Sequence, residues 1–207
     1  MLIFTFVQGQ DTVCLNHTYY TTYFSKSKHY PVLTEWYLTK AMISCNDKIV
    51  RSNKFTYDPL LKPYTNLDKD YRGAGVDRGH QMSFEDNACN ALGSTECFYF
   101  SNMSGQEHSL NIGAWKTLEG LCRTLAGEYD SIFIWTGNIG NLGTFGVDKV
   151  VKPEFCFKVY YVKKTGLIQA YLFRNDTQKK TLEFYKVDVK TIEQLTNYKF
   201  NVLKPKI

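Results

Sequence analysis

Residues 77–81 read Asp-Arg-Gly-His-Gln and residues 101–119 read SNMSGQEHSLNIGAWKTLE, and these two stretches decide how the chain is interpreted. The first contains His80, a side chain type that accepts a proton near neutral pH. The second leads into a predicted helix, with Asn111 in its first turn and Glu119 eight residues later. Eight steps of 100° exceed two helical turns by about 80°, so both side chains can face one cleft.

These residue types suit the hydrolysis of a phosphodiester. That reaction needs an activated water, a cation that relieves developing charge, and stabilisation of the leaving oxygen. The amide oxygen of Asn111 suits Mg²⁺, which takes few protein ligands and keeps several waters. Each residue also has a structural interpretation: His80 as a hydrogen-bonded histidine beside a glycine turn, and Asn111 as a helix cap. Glu119 and Arg123 could form an exposed i,i+4 ion pair.

Together the two stretches resemble the DNA/RNA non-specific endonucleases of the ββα-metal class, the group that includes endonuclease G. The signature of that family is DRGH on a strand, then an S-N-x-x-x-Q stretch, then a helix reading L-N-x-G-x-W-x-x-L-E. Residues 77–80, 101–106 and 110–119 match its three parts in order. Further similarities at residues 136–137, 153–159 and 192–196 extend the resemblance over nearly the whole chain.

The resemblance implies an α+β protein with the ββα-metal nuclease fold, in which a mainly antiparallel central sheet is flanked by helices. It implies a sugar-non-specific, Mg²⁺-dependent endonuclease, with Mn²⁺ as a substitute ion, that cuts DNA and RNA to 5′-phosphate and 3′-hydroxyl ends. His80 would be the general base and Asn111 the direct metal ligand. Glu119 would hold metal-bound water, and Arg123 would pair with Glu119 or approach the phosphate.

The same resemblance predicts residues that contact the substrate. Asn102 and Gln106 match family positions near the scissile phosphate, and Arg78 either clamps the phosphate or supports its loop. The family carries a further upstream arginine that contacts the phosphate, and this chain has none in register. Arg51 or Lys54 could replace it, although arginine and lysine are not equivalent at such a position.

Two other functions are compatible with these residues. One is a catalytically silent nucleic-acid-binding protein, and the other is a phosphodiesterase that acts on small nucleotides. The sequence allows a homodimer and does not indicate a protein inhibitor. Its longest apolar runs, such as residues 132–135, are far shorter than the roughly 18 to 20 residues of a membrane helix, so no membrane partner is expected.

Local patterns predict the elements around the motifs. Alternating aromatic and polar residues over 17–43 predict two or three antiparallel strands, and the polar stretch 53–75 predicts a long functional loop. The other predicted strands are residues 98–100, 131–136, 155–163 and 166–173, and the predicted helices are residues 110–125, ended by Gly127, and residues 191–195.

The 207 residues, of which 43% are hydrophobic, predict a single domain over residues 10–207. Residues 1–9, MLIFTFVQG, resemble the end of a signal peptide, with an ordinary first strand as the alternative. Six cysteines fit an oxidising compartment, although their pairing stays open. Cys89 and Cys97 could close a short loop, whereas Cys122 could be a buried helix residue. The cysteine count and the signal-like start predict a secreted or periplasmic protein, and the glycosylation triplets at Asn16 and Asn175 are compatible with secretion.

Charge is distributed unevenly along the chain. The net charge is +5 overall, but it is −4 over residues 61–130 and +7 over residues 131–207. We therefore expect lysines of the last third to hold a polyanion while the acidic segment performs the chemistry. The candidates are Lys163, Lys164, Lys179 and Lys180.

Overall fold

A computed structural model describes residues 11–61 and 68–200, so the predicted signal-peptide remnant at residues 1–9 lies outside the described residues. The strands are β1 (Thr12–Asn16), β2 (Thr21–Ser25), β3 (Tyr30–Thr39), β4 (Asp77–His80), β5 (Met103–Gln106), β6 (Ser131–Ile139), β7 (Thr144–Phe145), β8 (Val150–Val151), β9 (Phe155–Val162), β10 (Leu167–Arg174) and β11 (Lys186–Val187). The helices are α1 (Lys40–Ile43), α2 (Asp68–Tyr71), α3 (Ala91–Glu96), α4 (His108–Leu110), α5 (Lys116–Tyr129) and α6 (Val189–Thr196), with a π-helical turn over Asn111–Trp115 joining α4 to α5. Three short 3₁₀ turns cover Phe84–Asp86, Phe100–Asn102 and Leu182–Tyr185.

A seven-stranded sheet in the order β1-β2-β3-β6-β9-β10-β11 organises the molecule. Every neighbouring pair is antiparallel, which confirms the predicted α+β class with a mainly antiparallel sheet. The predicted hairpin of the last third is β9–β10, in which Leu167 pairs with Val162. Within the described ranges, no helix has the length and apolar content to cross a lipid bilayer.

Both faces of this sheet are covered by helices. Successive residues of β6 point to opposite faces and therefore contact both layers. Ile132 and Ile134 pack in one core cluster with Leu118 of α5. Trp135 packs in a second cluster with Ile192 of α6. Residues 132–135 are therefore apolar without alternation because helices cover both sides of the strand.

The β4–β5 pair, which carries the DRGH motif, lies against the central sheet. His80 pairs with Met103, and the next residue, Gln81, anchors the strand end. The backbone N–H of Gln81 donates to the Asn102 carbonyl at 2.9 Å, and its side-chain oxygen accepts from Thr136 Oγ1 at 3.3 Å. The position of His80 is thus set by hydrogen bonds on the adjacent residue.

Two predicted elements differ from the structure. Residues 98–100 form no strand: Tyr99 makes one isolated bridge to Thr56, and a 3₁₀ turn begins at Phe100. The helix predicted to end before Gly127 continues to Tyr129. Glycine inside a helix costs about 1 kcal/mol relative to alanine, and this cost is outweighed here because the adjacent Ala126 is completely buried in the core.

The cysteines form one disulfide among the described residues, between Cys45 and Cys89. The prediction of a Cys89–Cys97 loop is wrong, because Cys97 is completely buried and its thiol donates to the Ser94 carbonyl. The four free cysteines are Cys14, Cys97, Cys122 and Cys156. Cys122 is buried on α5, as the alternative interpretation predicted.

Candidate active site

A cavity of about 220 Å³ lies where β4, the π-helical turn and the first turns of α5 meet. Six residues predicted from the sequence line it: Arg51, Arg78, His80, Asn111, Glu119 and Arg123. They come from four separate parts of the chain, and only the fold brings them together. Ser83, Phe84, Glu85, Ile112 and Lys116 complete the lining and were not predicted.

His80 is buried between aromatic rings at one side of this cavity. Its ring centroid lies 5.7 Å from that of Phe55 and 5.4 Å from that of Phe98. Burial, assisted by the positive charge of Arg51, lowers the pKa of His80 to about 3, although a hydrogen bond to the Arg78 backbone acts in the opposite direction. The imidazole is therefore neutral at physiological pH.

The Nε2 atom of His80 is buried and has no hydrogen-bond partner among the described residues. A buried polar atom without a partner costs about 1–3 kcal/mol, so its presence needs an explanation. In a neutral imidazole that donates through one nitrogen, the other nitrogen carries a lone pair. Nε2 is the ring atom that can accept a proton.

Two arginines are supported on the same aromatic cluster. The Arg51 guanidinium lies 5.1 Å from the Phe98 ring centroid, and the Arg78 guanidinium lies 5.0 Å from that of Phe55. Arg78 also forms an ion pair with Asp68. Stacking on aromatic faces limits the motion of each guanidinium, so fixed positive charge borders the cavity beside His80.

Asn111 is held by the first residue of the DRGH strand. Its Nδ2 atom donates to Oδ2 of Asp77 at 2.8 Å, and the same carboxylate oxygen lies 2.9 Å from Nδ1 of His108. This orientation leaves the Asn111 amide oxygen available to a ligand. The alternative that Asn111 caps the helix is wrong, because its backbone is already helical and its side chain bonds to Asp77 instead.

The helix is not a uniform α-helix between Asn111 and Glu119. Gly113 has φ −98° and ψ −114°, and the surrounding turn is a wide π-helical one. The angle of about 80° predicted for an ideal helix therefore does not apply. Asn111 and Glu119 nevertheless line one cavity. Trp115 between them is buried in the core, as predicted.

Glu119 lies beside a buried positive charge. Burial raises the pKa of Glu119 to about 7, and the nearby Lys158 ammonium opposes that rise. Lys158 is almost completely buried; its Nζ atom lies 4.5 Å from the Trp115 ring centroid and 3.5 Å from the Gln81 carbonyl oxygen. In the sequence, Lys158 stands out only as part of the family similarity at residues 153–159, and no pattern there predicts its contacts with Trp115 and Gln81.

Arg123 does not have the partner that the sequence predicted. Its Nη1 atom donates to Oδ1 of Asp86 at 3.0 Å and to Oγ of Ser83 at 3.2 Å. Asp86 is only 2% exposed, and burial raises the pKa of its carboxyl despite the arginine. The observed ion pair is therefore with Asp86 rather than Glu119, and no sequence spacing marks Asp86 as a member of the site.

Three predicted substrate residues do not line the cavity. Asn102 is completely buried, and its amide donates to the carbonyls of Met82 at 2.9 Å and Cys97 at 2.8 Å. Gln106 is 1% exposed and packs against the DRGH strand, and Lys54 is exposed elsewhere on the surface. Asn102 and Gln106 thus support the β4–β5 pair in this structure.

The residues present fit a magnesium ion. In the described part of the chain, no group of three or more His, Cys, Asp or Glu side chains is placed to hold a metal. The cavity instead offers the amide oxygen of Asn111 and the carboxylate of Glu119. Few oxygen ligands with remaining waters suit Mg²⁺, whereas zinc takes three or four protein ligands.

An antiparallel DRGH strand pair followed by the helix that carries Asn111 defines the ββα-metal class of folds. The structure is similar to a chain in the solved EndoG/EndoGI complex, with a TM-score of 0.85 and 24% sequence identity over 94% of this chain and 87% of that one. A sequence model of the DNA/RNA non-specific endonuclease family matches residues 1–206. The chain therefore belongs to that family.

The individual relatives match a smaller share of the chain than the solved structure does. The chain is 28% identical to mitochondrial nuclease EXOG of Xenopus laevis over 170 residues, covering 71% of this chain and 47% of that protein. It is 28% identical to mitochondrial endonuclease G of Homo sapiens, with 72% and 57% covered, and 30% identical to nuclease C1 of Cunninghamella echinulata, with 65% and 59% covered. The chain thus spans about half the length of the curated relatives that it matches.

These relatives correct the predicted location. Several carry mitochondrial names, which contradicts the prediction of a secreted or periplasmic protein. One premise of that prediction also fails in the structure, because four of the six cysteines are free. Of the two glycosylation triplets, the one at Asn16 is exposed, whereas the Asn175 side chain is completely buried, where it cannot carry a glycan.

Proposed function

We propose that this protein is a sugar-non-specific, Mg²⁺-dependent endonuclease that hydrolyses phosphodiester bonds of DNA and RNA and leaves 5′-phosphate ends. The observation that carries the proposal is the His80 ring. It is neutral and buried, its Nε2 atom has no partner among the described residues, and it borders the same cavity as Asn111 and Glu119.

His80 acts as the general base that takes a proton from the attacking water at Nε2. A pKa of about 3 makes the free enzyme's imidazole a weak base, since the best general bases have pKa values near the working pH. A bound phosphate places negative charge in the cavity and offsets the charge of Arg51. A bound phosphate would thus oppose the second cause of the lowered pKa of His80, the charge of Arg51, whereas the first cause, burial, would remain.

Asn111 and Glu119 would hold the magnesium ion. When bound, this ion supplies positive charge to the phosphate and the leaving oxygen. Asp77 orients the Asn111 amide through the 2.8 Å hydrogen bond, so that its oxygen remains free for the ion. Lys158 opposes protonation of Glu119 and favours the carboxylate form that a cation requires.

Arg51 and Arg78 bind the non-bridging phosphate oxygens, and Arg51 replaces the upstream arginine of the family. Arg51 lines the cavity, whereas Lys54, the other candidate, does not. Arg123 is a positioning residue, because it holds the Ser83 and Asp86 side chains on the cavity wall. Contacts to phosphate carry no base information, so little sequence preference is expected.

A cleavage assay tests this function. Supercoiled plasmid, single-stranded RNA and a dinucleotide are incubated with the protein in Mg²⁺, in Mn²⁺ and in EDTA. We expect plasmid and RNA to be cut with either ion and not in EDTA. Intact plasmid and RNA with both ions would refute the proposal, and faster cutting of the dinucleotide than of long substrates would favour a small-nucleotide phosphodiesterase.

A further inference from the structure

A second cavity, of about 330 Å³, adjoins the active site. Side chains from residues 108–114 form one wall, and residues 178–180 form the other. Ile112 lines both cavities and is 58% exposed, so the two spaces meet at this side chain. A ligand that extends out of the active site past Ile112 enters the second cavity.

The basic wall of this cavity is fixed to the catalytic strands. Asn175, just before it in sequence, is completely buried and donates to the Gly105 carbonyl of β5 at 2.9 Å. The Asn175 side-chain oxygen accepts from the Glu107 backbone N–H at 2.8 Å, immediately before α4. The Tyr185 hydroxyl donates to the Gln178 carbonyl at 3.0 Å. Residues 178–180 are therefore held in place relative to the strand pair that carries His80.

Lys179 and Lys180 give this wall a positive charge. Both are exposed, and neither forms an ion pair with a residue in the described ranges. The acidic residues nearest to them in sequence, Asp176 and Glu183, each pair with another basic side chain, at 3.3 Å and 3.6 Å. The Lys180 ammonium lies 5.6 Å from the Phe184 ring centroid, a contact that leaves its charge unneutralised. Both ammonium groups can therefore meet an anion at the cavity mouth.

We propose that the second cavity binds the nucleotide next to the scissile phosphate, with Lys179 and Lys180 holding its further phosphate and Ile112 contacting its sugar or base. The inference rests on the proposed function for the position of the scissile phosphate. A mostly apolar cavity with two lysines at its edge suits a nucleotide, which has an apolar ring and an anionic backbone. A nucleic-acid strand is the occupant because the same strand must leave the adjoining active site.

The other two lysines predicted to grip the substrate lie at the opposite end of the sheet. Lys163 and Lys164 follow β9, where Tyr161 pairs with Phe133 at the beginning of β6. β6 begins directly after the C-terminal end of α5, so this end of the sheet lies near that end of the helix. Asn111 lies just before the N-terminal end of α5. A 14-residue helix is about 21 Å long, so these lysines serve as a control of matched charge.

The experiment compares Lys179→Gln/Lys180→Gln with Lys163→Gln/Lys164→Gln. Steady-state cleavage of a single-stranded 12-mer and of a dinucleotide is measured over a range of salt concentrations. For the first variant we expect the 12-mer KM to rise about 5- to 10-fold with kcat within twofold. The slope of log KM against log salt should fall by about 0.7, because the two lysines hold one phosphate and each single-strand phosphate contact contributes about 0.7. Cutting of the dinucleotide, which has no further phosphate, should not change.

Equal KM values and salt slopes in the wild type and the Lys179/Lys180 variant would overturn the inference, as would equal losses in both variants. Binding of a fluorescent 12-mer in EDTA separates this result from failure of the proposed function. If the wild type does not cut nucleic acid but the Lys179/Lys180 change alone weakens 12-mer binding, the nucleotide site stands and the nuclease proposal fails. If the wild type cuts and both variants bind and cut equally, the nucleotide site fails alone.

Discussion

At the scale of single residues, the candidate site is organised around side chains whose charge is set by burial. Burial and the charge of Arg51 keep His80 neutral. Burial keeps Glu119 partly protonated, and the charge of Lys158 opposes this rise in its pKa. Burial thus leaves His80 unprotonated, with a free lone pair, and leaves Glu119 in a position where added positive charge would favour its carboxylate form.

Replacement of Asn111 tests the metal assignment. Asn111→Ala removes the amide oxygen, and we expect kcat to fall on the order of 10³-fold. Raising the Mg²⁺ concentration should restore activity only in part, because Glu119 and water remain as ligands. Unchanged thermal stability is the control for folding. Wild-type rates in this variant would remove Asn111 from the metal site.

The buried imidazole makes stability depend on pH. The folded protein keeps the pKa of His80 at about 3, against an ordinary value of 6.5, so only the unfolded chain takes up this proton between those values. Lowering the pH from 6.5 to 3 therefore lowers the free energy of unfolding, by at most about 1.4 kcal/mol per pH unit.

Denaturant unfolding of the wild type and of His80→Asn in metal-free buffer measures this effect. The difference between the two proteins cancels the opposite contribution of Glu119, whose raised pKa removes stability as the pH rises from 4.5 to 7. We expect the wild type to lose stability relative to the variant below pH 6.5. Parallel pH profiles would show that His80 is not held neutral by the fold.

At the scale of elements, the DRGH strand depends on the close contact of Gly79 with its neighbour. A Cβ atom at Gly79 would lie 2.4 Å from Oε1 and 2.6 Å from Cβ of Gln106. The motif therefore contains glycine because the Gln106 side chain fills the space that a Cβ atom of residue 79 would take. A larger residue would displace the strand that ends at His80.

Two glycine substitutions test this account. Gly79→Ala should destabilise the protein by about 1–3 kcal/mol and reduce activity, because the strand must shift. Gly120→Ala is the matched control: a Cβ atom there meets nothing within 4 Å, and the residue lies inside α5. The control should gain about 0.5–1 kcal/mol. Equal effects of the two changes in thermal unfolding would contradict the packing argument.

Much of the element pattern could be predicted from the sequence. Residues 131–136 and the β9–β10 hairpin were found because a covered strand is continuously apolar and a hairpin has a turn between two such runs. Residues 98–100 were wrongly predicted as a strand because their aromatic side chains pack in an irregular segment, Phe98 against His80 and Phe100 against Tyr71. The π-helical turn has no sequence signal that distinguishes it from an α-helix.

The candidate site could be predicted less completely than the strands and helices. His80, Asn111 and Glu119 stand in motifs with fixed spacing, so the sequence could predict that they share one cavity, whereas their roles stay predictions. Asp86 and Lys158 could not be predicted, since their roles depend on contacts between distant parts of the chain. Asn102 was misplaced because a motif reports that a residue matters without showing whether it touches substrate or holds the strands.

At the scale of the whole molecule, the Cys45–Cys89 disulfide joins segments 44 residues apart. The disulfide lies near the segment that carries Arg51, because the backbone N–H of Ile49 donates to the Ala88 carbonyl at 2.8 Å.

The predicted homodimer stays a prediction. The charge asymmetry has a clearer meaning, because of the four proposed lysines Lys179 and Lys180 line the second cavity, which meets the catalytic cavity at Ile112.

Thiol labelling and unfolding test the disulfide. Alkylation of the denatured protein without reductant should modify four cysteines, and after reduction all six. Cys45→Ser should cost about 2–4 kcal/mol, whereas Cys14→Ser, which breaks no bridge, should change stability by under about 1 kcal/mol. Three bridges or six free thiols by intact mass would contradict the structure.

The central claim is that His80 takes the proton from the attacking water. The most direct measurement is kcat/KM for plasmid cleavage in Mg²⁺ by the wild type, His80→Asn and His29→Asn. His29 lies outside the cavity in the turn between β2 and β3, so it controls for the substitution itself. We expect a fall of about 10²- to 10⁴-fold for His80→Asn and none for His29→Asn. A folded His80→Asn protein that cuts as fast as the wild type would contradict the account.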